Sequence, residues 1–253
     1  MFKTISIVLL NIKQGIREKT FWAAGFFFLF LMGFSVFLGE LSIGEKKVVL
    51  RNVSLSSIEI SCLLLIAFSF VYNFYREEST RLKEVYLSYF SHAAYLGGKL
   101  ISYILICLIY ILLTSFTASF VLLLNKAYLW QIFLGSYGIF LKLSIFCGFC
   151  LLFSSLFSYP LLSSISTIFA YIASELSYNA LKIVNVSENI LIKIFLKLIY
   201  HILPNADKID LKYQIIYGET PRLGFLIGIT SYVFIYVLLL YFLSVLIFRR
   251  KEH

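Results

Sequence analysis

The chain of 253 residues is 60% hydrophobic and 14% charged, with a mean hydropathy of +0.91, whereas a soluble globular domain is about half apolar and about a quarter charged. A soluble core of this size would need far more charge to cover its outside, so the composition excludes an ordinary soluble domain and implies lipid as the solvent. The formal net charge of +9 then implies attraction to the anionic headgroups of a lipid bilayer and no nucleic-acid partner.

The first predicted element is an amphipathic helix. Ile5, Val8, Leu9, Ile12 and Ile16 recur at helical spacing, while Lys3, Asn11, Lys13, Gln14 and Arg17 gather on the other face. No small-residue cleavage site precedes Thr20, so this segment reads as an interfacial helix turning into the first span, not as a secretory signal.

Charge-free runs follow. Thr20–Gly39, between Lys19 and Glu40, matches the ~20 residues needed to cross a hydrocarbon core. Ile60–Tyr75 is shorter, and Leu55–Ser57 extends it past Glu59. Leu100–Asn125 and Leu223–Phe248 exceed the minimum and can tilt. Leu143–Ser174 carries no charge and is too long for one helix, and Pro160 divides it. The expected crossings are 20–39, 56–75, 100–124, 138–158, 160–180 and 223–248. Their continuous apolarity favours helices over the alternating strands of a barrel. The fold class expected is therefore all-α: a polytopic membrane protein of six transmembrane helices with an N-terminal amphipathic elbow helix. Residues 1–253 form one transmembrane domain, with the elbow at 1–19, a loop at 76–99 and an amphipathic helix and loop at 181–222 on the opposite face.

An even number of crossings puts both termini on one side. Positive charge close to helix ends marks the cytoplasmic face, and Lys13, Arg17, Lys19, Arg249, Arg250 and Lys251 flank the terminal spans. Both termini are expected in the cytoplasm, and the 76–99 loop with them. On the outer face, Asn185, Asn189, Lys193, Lys197 and His201 recur every fourth residue among apolar neighbours until Pro204 ends the pattern. The polar loop Asn205–Glu219 follows, and Thr220-Pro221 supplies an N-cap and a first-turn proline for the last span.

Chemical motifs are mostly missing. Gly97-Gly98-Lys99 lacks the spacing of a phosphate loop. Cys147 and Cys150 have redox-motif spacing but fall inside a span, where small residues at i and i+3 serve close packing. Cys62 and Cys107 also lie in spans, so no disulfide framework is implied. Glu77-Glu78-Ser79-Thr80-Arg81 has the residue types of a membrane protease motif, but its spacing is one residue short and no span holds a histidine to complete a metal site. Two charges lie within spans. Lys142 and Glu175 fall at similar depth and can pair across a translocation path; alternatively Lys142 snorkels to the interface while Glu175 sits above the hydrocarbon.

The string REESTRLKEVYLSYFSHAAYLGGKL (Arg76–Leu100) leads from the second span to the third. It resembles the cytoplasmic loop of type-2 ABC transporter permeases, in particular the group of the nitrous-oxide-reductase maturation permease. That loop opens on "RE" and runs through a helix to "LLSxPxSRxxYLLGK". Arg76-Glu77 match its start, Leu87-Ser88 its middle and Tyr95-Leu96-Gly97-Gly98-Lys99 its end, while Phe90 stands for the usual proline and His92 for the usual arginine. Arg17-Glu18-Lys19-Thr20-Phe21 is similar to the family's elbow, Phe153–Ser174 to its serine-rich hairpin, and Ile202-Leu203-Pro204-Asn205 to its outer turn.

Independently, Leu82, Val85, Tyr86, Tyr89, Phe90 and Ala93 form an apolar face at helical spacing, opposite Lys83, Glu84, Ser88 and Ser91. Such a helix either inserts into a groove on a partner protein or rests on lipid. The resemblance implies the first. Arg76, Glu77, Leu82, Val85, Tyr86, Tyr89, Phe90, Tyr95 and Lys99 would couple the spans to a separate ABC ATPase subunit, which would carry the ATP and Mg, leaving this chain without cofactor, metal or catalytic residue. The expected function is then that of the permease subunit of an ABC exporter in the plasma (bacterial inner) membrane, paired with a second permease copy as a homodimer or related heterodimer. A self-sufficient secondary transporter or channel is the main alternative, and a membrane-embedded enzyme the third.

Overall fold

A computed structural model describes residues 2–42, 45–186 and 203–251. Among them every regular element is helical: α1 (Phe2–Arg17), α2 (Lys19–Leu41), α3 (Lys46–Leu65), α4 (Val71–Ser79), α5 (Leu82–Tyr89), α6 (His92–Leu124), α7 (Ile132–Leu156), α8 (Pro160–Val186), a 3-10 turn (Ala206–Lys208), α9 (Lys212–Ile216) and α10 (Leu223–Lys251). The chain is an all-α polytopic membrane protein. Among the described residues, five helices are long and apolar enough to cross a bilayer: α2, the continuous α3–α4, α6, α7 and α10. Residues on the hydrophobic windows of α3–α4 and α7 are 72% and 78% buried, against 28% for α2 and for α10, so these two form the centre of the bundle.

The apolar side chains left outside, such as Phe26, Phe30, Phe116, Phe120, Phe234 and Phe242, are those that lipid covers. The expected fifth crossing, α8, is 27 residues long and rich in serine, and it is not among these five. Those serines point inward. Ser163, Ser164, Thr167, Ser174 and Ser177 are buried, whereas Leu161, Ile165, Phe169 and Leu176 are exposed. This inversion of soluble amphipathicity suits a helix with lipid on one side and close helix neighbours on the other. Ser164 hydrogen-bonds Ala67 O of the second span and Glu175 reaches Lys142 of α7, so α8 packs on the bundle over the roughly three turns between them.

Between α3 and α4 the helix passes through a π-helical segment, Ile66–Phe70. The wider turn displaces the i→i−4 pattern and frees carbonyls that lipid could not satisfy. Other helices supply the partners: Ser164 Oγ donates to Ala67 O at 2.8 Å, Tyr103 OH to Ser69 O at 3.3 Å, and Cys150 Sγ to Ile66 O at 3.8 Å.

The elbow departs from its expected faces. Asn11 is buried, although the helical pattern puts it on the polar side, and a Cβ at Gly15 would lie 2.5 Å from Ile106. So α1 packs against α6 through that edge, leaving Leu9 and Leu10 exposed. The outer loop departs more. It folds back into the bundle, burying Ala206, Ile209, Leu211 and Ile215, and Gly138 of α7 gives it room, since a Cβ there would lie 3.1 Å from Leu211. Pro221 lies outside the last helix, whose first bond runs from Leu226 N–H to Arg222 O at 3.2 Å. Of the outer amphipathic stripe, Asn185 is on the last backbone turn of α8, and Asn189, Lys193, Lys197 and His201 lie outside the described residues.

Cys147 and Cys150 are buried packing residues. Cys147 Sγ lies 3.7 Å from Cys107 Sγ and Cys150 Sγ 3.5 Å from Thr167 Oγ1, and all four cysteines are free. Between them, a Cβ on Gly148 would meet Leu240 Cδ1 at 2.9 Å, so α10 seats directly on this glycine. Gly148→Val is expected to lower stability in detergent by ~1–3 kcal/mol through overpacking. Gly33→Ala, with nothing within 4 Å of its Cβ, should be neutral or stabilising through helix propensity. Thermal unfolding of both variants checks this; equal effects would show that α10 is not held at Gly148.

Candidate functional site

Two ion networks are built on the α3–α4 helix, around Glu77 near its end and around Glu59 eighteen positions earlier (77 − 59). The first is at the end that carries α5. Glu77 and Lys99 are 3% and 1% exposed, and the Lys99 ammonium lies 3.0 Å from Glu77 Oε2. The Tyr95 hydroxyl donates to the same oxygen at 2.8 Å, and the rings of Phe74 and Tyr95 lie 4.5 and 5.1 Å from the ammonium. The second and third spans are thereby tied together where the loop between them begins and ends. Arg76 faces the elbow, with Nη1 3.8 Å from Glu18 Oε1, and Ser69 of the π segment donates to Glu18 Oε2 at 2.5 Å.

Helix α5 is stacked on this network from outside. Arg81 enters it in the left-handed region at φ 55°, which reverses the chain sharply after α4, and Ser91 caps the start of α6 by accepting from Ala94 N–H at 3.3 Å. Tyr86 stacks on Tyr95 with ring centroids 5.9 Å apart, and burial, with the Glu77 carboxylate nearby, pushes its phenol up. Lys83 pairs with Glu78 at 3.6 Å and lies over the Phe248 ring of α10. The face read as uniformly apolar therefore divides: Tyr86 and Phe90 are half-buried against the bundle, while Leu82, Val85 and Tyr89 are 42%, 54% and 71% exposed. No residue of α5 is fully buried.

The second network is built around Glu59, on the far side of the π segment from Glu77. Lys142, 1% exposed, sits 2.6 Å from Glu59 Oε1, bonds Glu175 Oε1 and lies 3.6 Å from Asp210 Oδ2. Glu59 Oε2 accepts from Lys212, and Tyr171 OH donates to Glu59 Oε1 at 2.6 Å. Asp210 Oδ1 is held by Lys212 N–H at 2.8 Å. Lys142 and Glu175 thus pair, as one reading of the sequence anticipated, but around a glutamate that the sequence reading passed over. Two ammonium groups face three carboxylates, so the network carries one formal negative charge. Burial draws the Lys212 ammonium down to about 8.

Glu59, Asp210 and Lys212 were the residues missed. Glu59 was legible as the one charge in an otherwise apolar stretch. Asp210 and Lys212 were signalled by the apolar Ile209, Leu211 and Ile215 among which they sit, a pattern belonging to a buried segment more than to a solvated loop. Through Asp210 the network borders a cavity of about 610 Å³ whose wall also includes Lys208, Gln214, Phe225, Tyr232 and Asn205. Asn205 is buried with neither side-chain amide atom bonded. Among the described residues no His, Cys, Asp or Glu group is arranged to hold a metal ion. The site therefore offers charged and hydrogen-bonding groups at the wall of a cavity.

No protein-family model matches the chain, and no curated protein matches it.

Removing the central cation leaves buried carboxylates uncompensated. Lys142→Met should destabilise the bundle by ~3–5 kcal/mol, and adding Glu59→Gln should restore part of that loss because the two effects are coupled. A double-mutant cycle by thermal unfolding in detergent measures the coupling. Simple additivity within ~0.5 kcal/mol would mean that this ion pair does not hold the helices.

Proposed function

We propose that this chain is the membrane-spanning permease subunit of an ATP-binding-cassette exporter, working as a dimer with a separate ATPase subunit in the plasma membrane. In this reading α8 is the sixth crossing, and the α5 end, to which both α1 and the last turns of α10 belong, faces the cytoplasm. The observation that carries the proposal is α5 itself. It is a short helix between two spans that presents Leu82, Val85 and Tyr89 outward, and its inner side rests on a buried Glu77–Lys99 pair joining those spans. A helix placed this way can transmit force. A partner that grips Tyr89 and Val85 and moves pushes through Tyr86 and Tyr95 onto the ends of the second and third spans together. ATP and Mg would act on that partner, and this chain would supply no catalytic residue.

The second reading, a self-sufficient transporter, has its own support in the Lys142–Glu59–Lys212 network, because ionisable groups within spans commonly line solute or ion paths. The two readings differ in whether a partner is needed.

Burying an aromatic or aliphatic side chain contributes ~1.5–3 kcal/mol, and each 1.4 kcal/mol is about tenfold in affinity. Val85→Ala with Tyr89→Ala should therefore weaken ATPase association by about two orders of magnitude, while insertion and folding survive because both side chains are outside the core. Co-purification of the ATPase with wild-type and doubly substituted permease measures this. Retained co-purification would leave α5 as a helix resting on lipid, and transport by the chain with no ATPase present would favour the self-sufficient transporter.

A further inference from the structure

We infer that the groove between the elbow helix, the second span and α5 is a binding site for a phosphate-bearing anion, supplied by the headgroup of an anionic phospholipid. The groove has a volume of about 740 Å³ and brings together Lys13, Arg17, Lys19 and Arg76, with Tyr72 on one wall and Glu18 as the acid among its described lining residues. The site is independent of what the chain transports.

Four cations converge here from three elements, one of them, α4, distant in sequence from the other two. Lys13 and Arg17 are one turn apart on α1, Lys19 begins α2, and Arg76 comes from α4. Like charges drawn together in this way repel each other unless something anionic lies between them. Glu18 does little of that work. Its Oε2 is taken by Ser69 Oγ at 2.5 Å, its Oε1 stands 3.8 Å from Arg76 Nη1, and burial pushes its carboxyl up. Arg76 Nη2 is buried with no partner, and the guanidinium is held over the Tyr72 ring at 5.7 Å. A partly exposed guanidinium held in position, with three flexible cations around it, suits a tetrahedral oxyanion.

The level of the groove assigns the anion to lipid. Trp22, one turn into the first span, is 61% exposed, as an aromatic residue at the headgroup level of a bilayer is. Leu9 and Leu10 on the neighbouring turns of α1 are also exposed, and such an apolar edge lies against acyl chains. A phospholipid whose chains pack beside Leu10 and Trp22 brings its phosphate to the mouth of the groove. Leu82 and Tyr86 of α5 line the same groove, so a bound headgroup would brace the elbow against the helix that emerges between the second and third spans.

The test uses the full-length chain in nanodiscs of phosphatidylcholine with and without phosphatidylglycerol, with retained lipid counted by native mass spectrometry. Wild type should retain phosphatidylglycerol in preference to phosphatidylcholine. At ~1.5 kcal/mol for each charge-assisted hydrogen bond to the phosphate that is lost, Lys13→Gln with Arg17→Gln should weaken that retention by roughly a hundred-fold. Both side chains are exposed, so folding is preserved. Arg249→Gln with Arg250→Gln removes the same charge from exposed positions outside the groove, where only the general surface attraction is lost, and should weaken retention by about tenfold less. Equal loss in the two double variants, or no preference for phosphatidylglycerol in wild type, would overturn the proposal. Titration with inorganic phosphate separates the sources. Displacement of phosphatidylglycerol at millimolar phosphate assigns the site to soluble phosphate anions, and no displacement assigns it to the lipid.

Discussion

The rest of this structure depends on two carboxylates carried by one helix. Glu59 and Glu77 lie 18 positions apart (77 − 59) on the continuous Lys46–Ser79 helix, a separation of about 27 Å at 1.5 Å per residue. That is close to the ~30 Å of a hydrocarbon core. This buried stretch therefore carries at each end a negative charge that lipid cannot solvate, and each charge has drawn a lysine from a different neighbour: Lys142 of α7 and Lys99 of α6. In the lipid phase apolar side chains give little preference for one helix arrangement over another, because lipid tails are as apolar as the neighbours they replace. A buried ion pair supplies that preference. Its net stability is small, since desolvation offsets attraction, but breaking it is costly. The two pairs therefore fix the rotation and depth of the second span against two partners.

Midway between the charges the same helix is locally unwound into the π segment, Ile66–Phe70. A span anchored at both ends and softened in the middle has a defined place to bend. The freed carbonyls there are covered by Ser164, Tyr103 and Cys150 from three different helices, and hydroxyl and thiol contacts of this kind can be exchanged at small cost compared with a buried charge. Ser69, in the same segment, also reaches Glu18 at the start of the first span. Movement of the α5 end would thus be felt by the elbow and first span through Glu18, and by α6 through Tyr103, before it reached the outer network.

Much of the fold was legible in the sequence. Charge-free runs of bilayer length specify helices because an unpaired backbone is intolerable in lipid, and Pro160 divided α7 from α8 where the structure divides them. What was not legible follows from the same physics. Starting from hydropathy, Glu59 looked like a residue near the end of a span, because burial inside a bundle and exposure at an interface are indistinguishable without the partner. That partner included Lys212, 153 positions away, in a segment whose polarity suggested a solvated loop. The site at α5 was read more closely: Glu77, Tyr95 and Lys99 were singled out together and the structure joins them through one carboxylate oxygen. Helical spacing alone could not divide the face of α5 into its inner side, Tyr86 and Phe90, and its outer side, Leu82, Val85 and Tyr89, because on a short helix that division depends on which neighbours reach it.

The outer segment shows what the buried charges demand of their surroundings. A lone Lys142–Glu59 pair would leave lone pairs and N–H groups unsatisfied in a medium of low dielectric. Tyr171 and Lys212 take up the remaining capacity of Glu59, and Glu175 and Asp210 take up that of Lys142. To bring Asp210 and Lys212 down, the chain after Pro204 must fold inward, and it can do so because Gly138 leaves space for Leu211 and the backbone at Ile209. A polar segment has thereby become the lid of the bundle. The lid is not fully satisfied: the carboxamide of Asn205, buried in the wall of the adjoining cavity, has no partner for either of its atoms. Each carboxylate and ammonium of the network has an oppositely charged partner, so the unmet demand of Asn205 falls on a neutral group at the cavity wall.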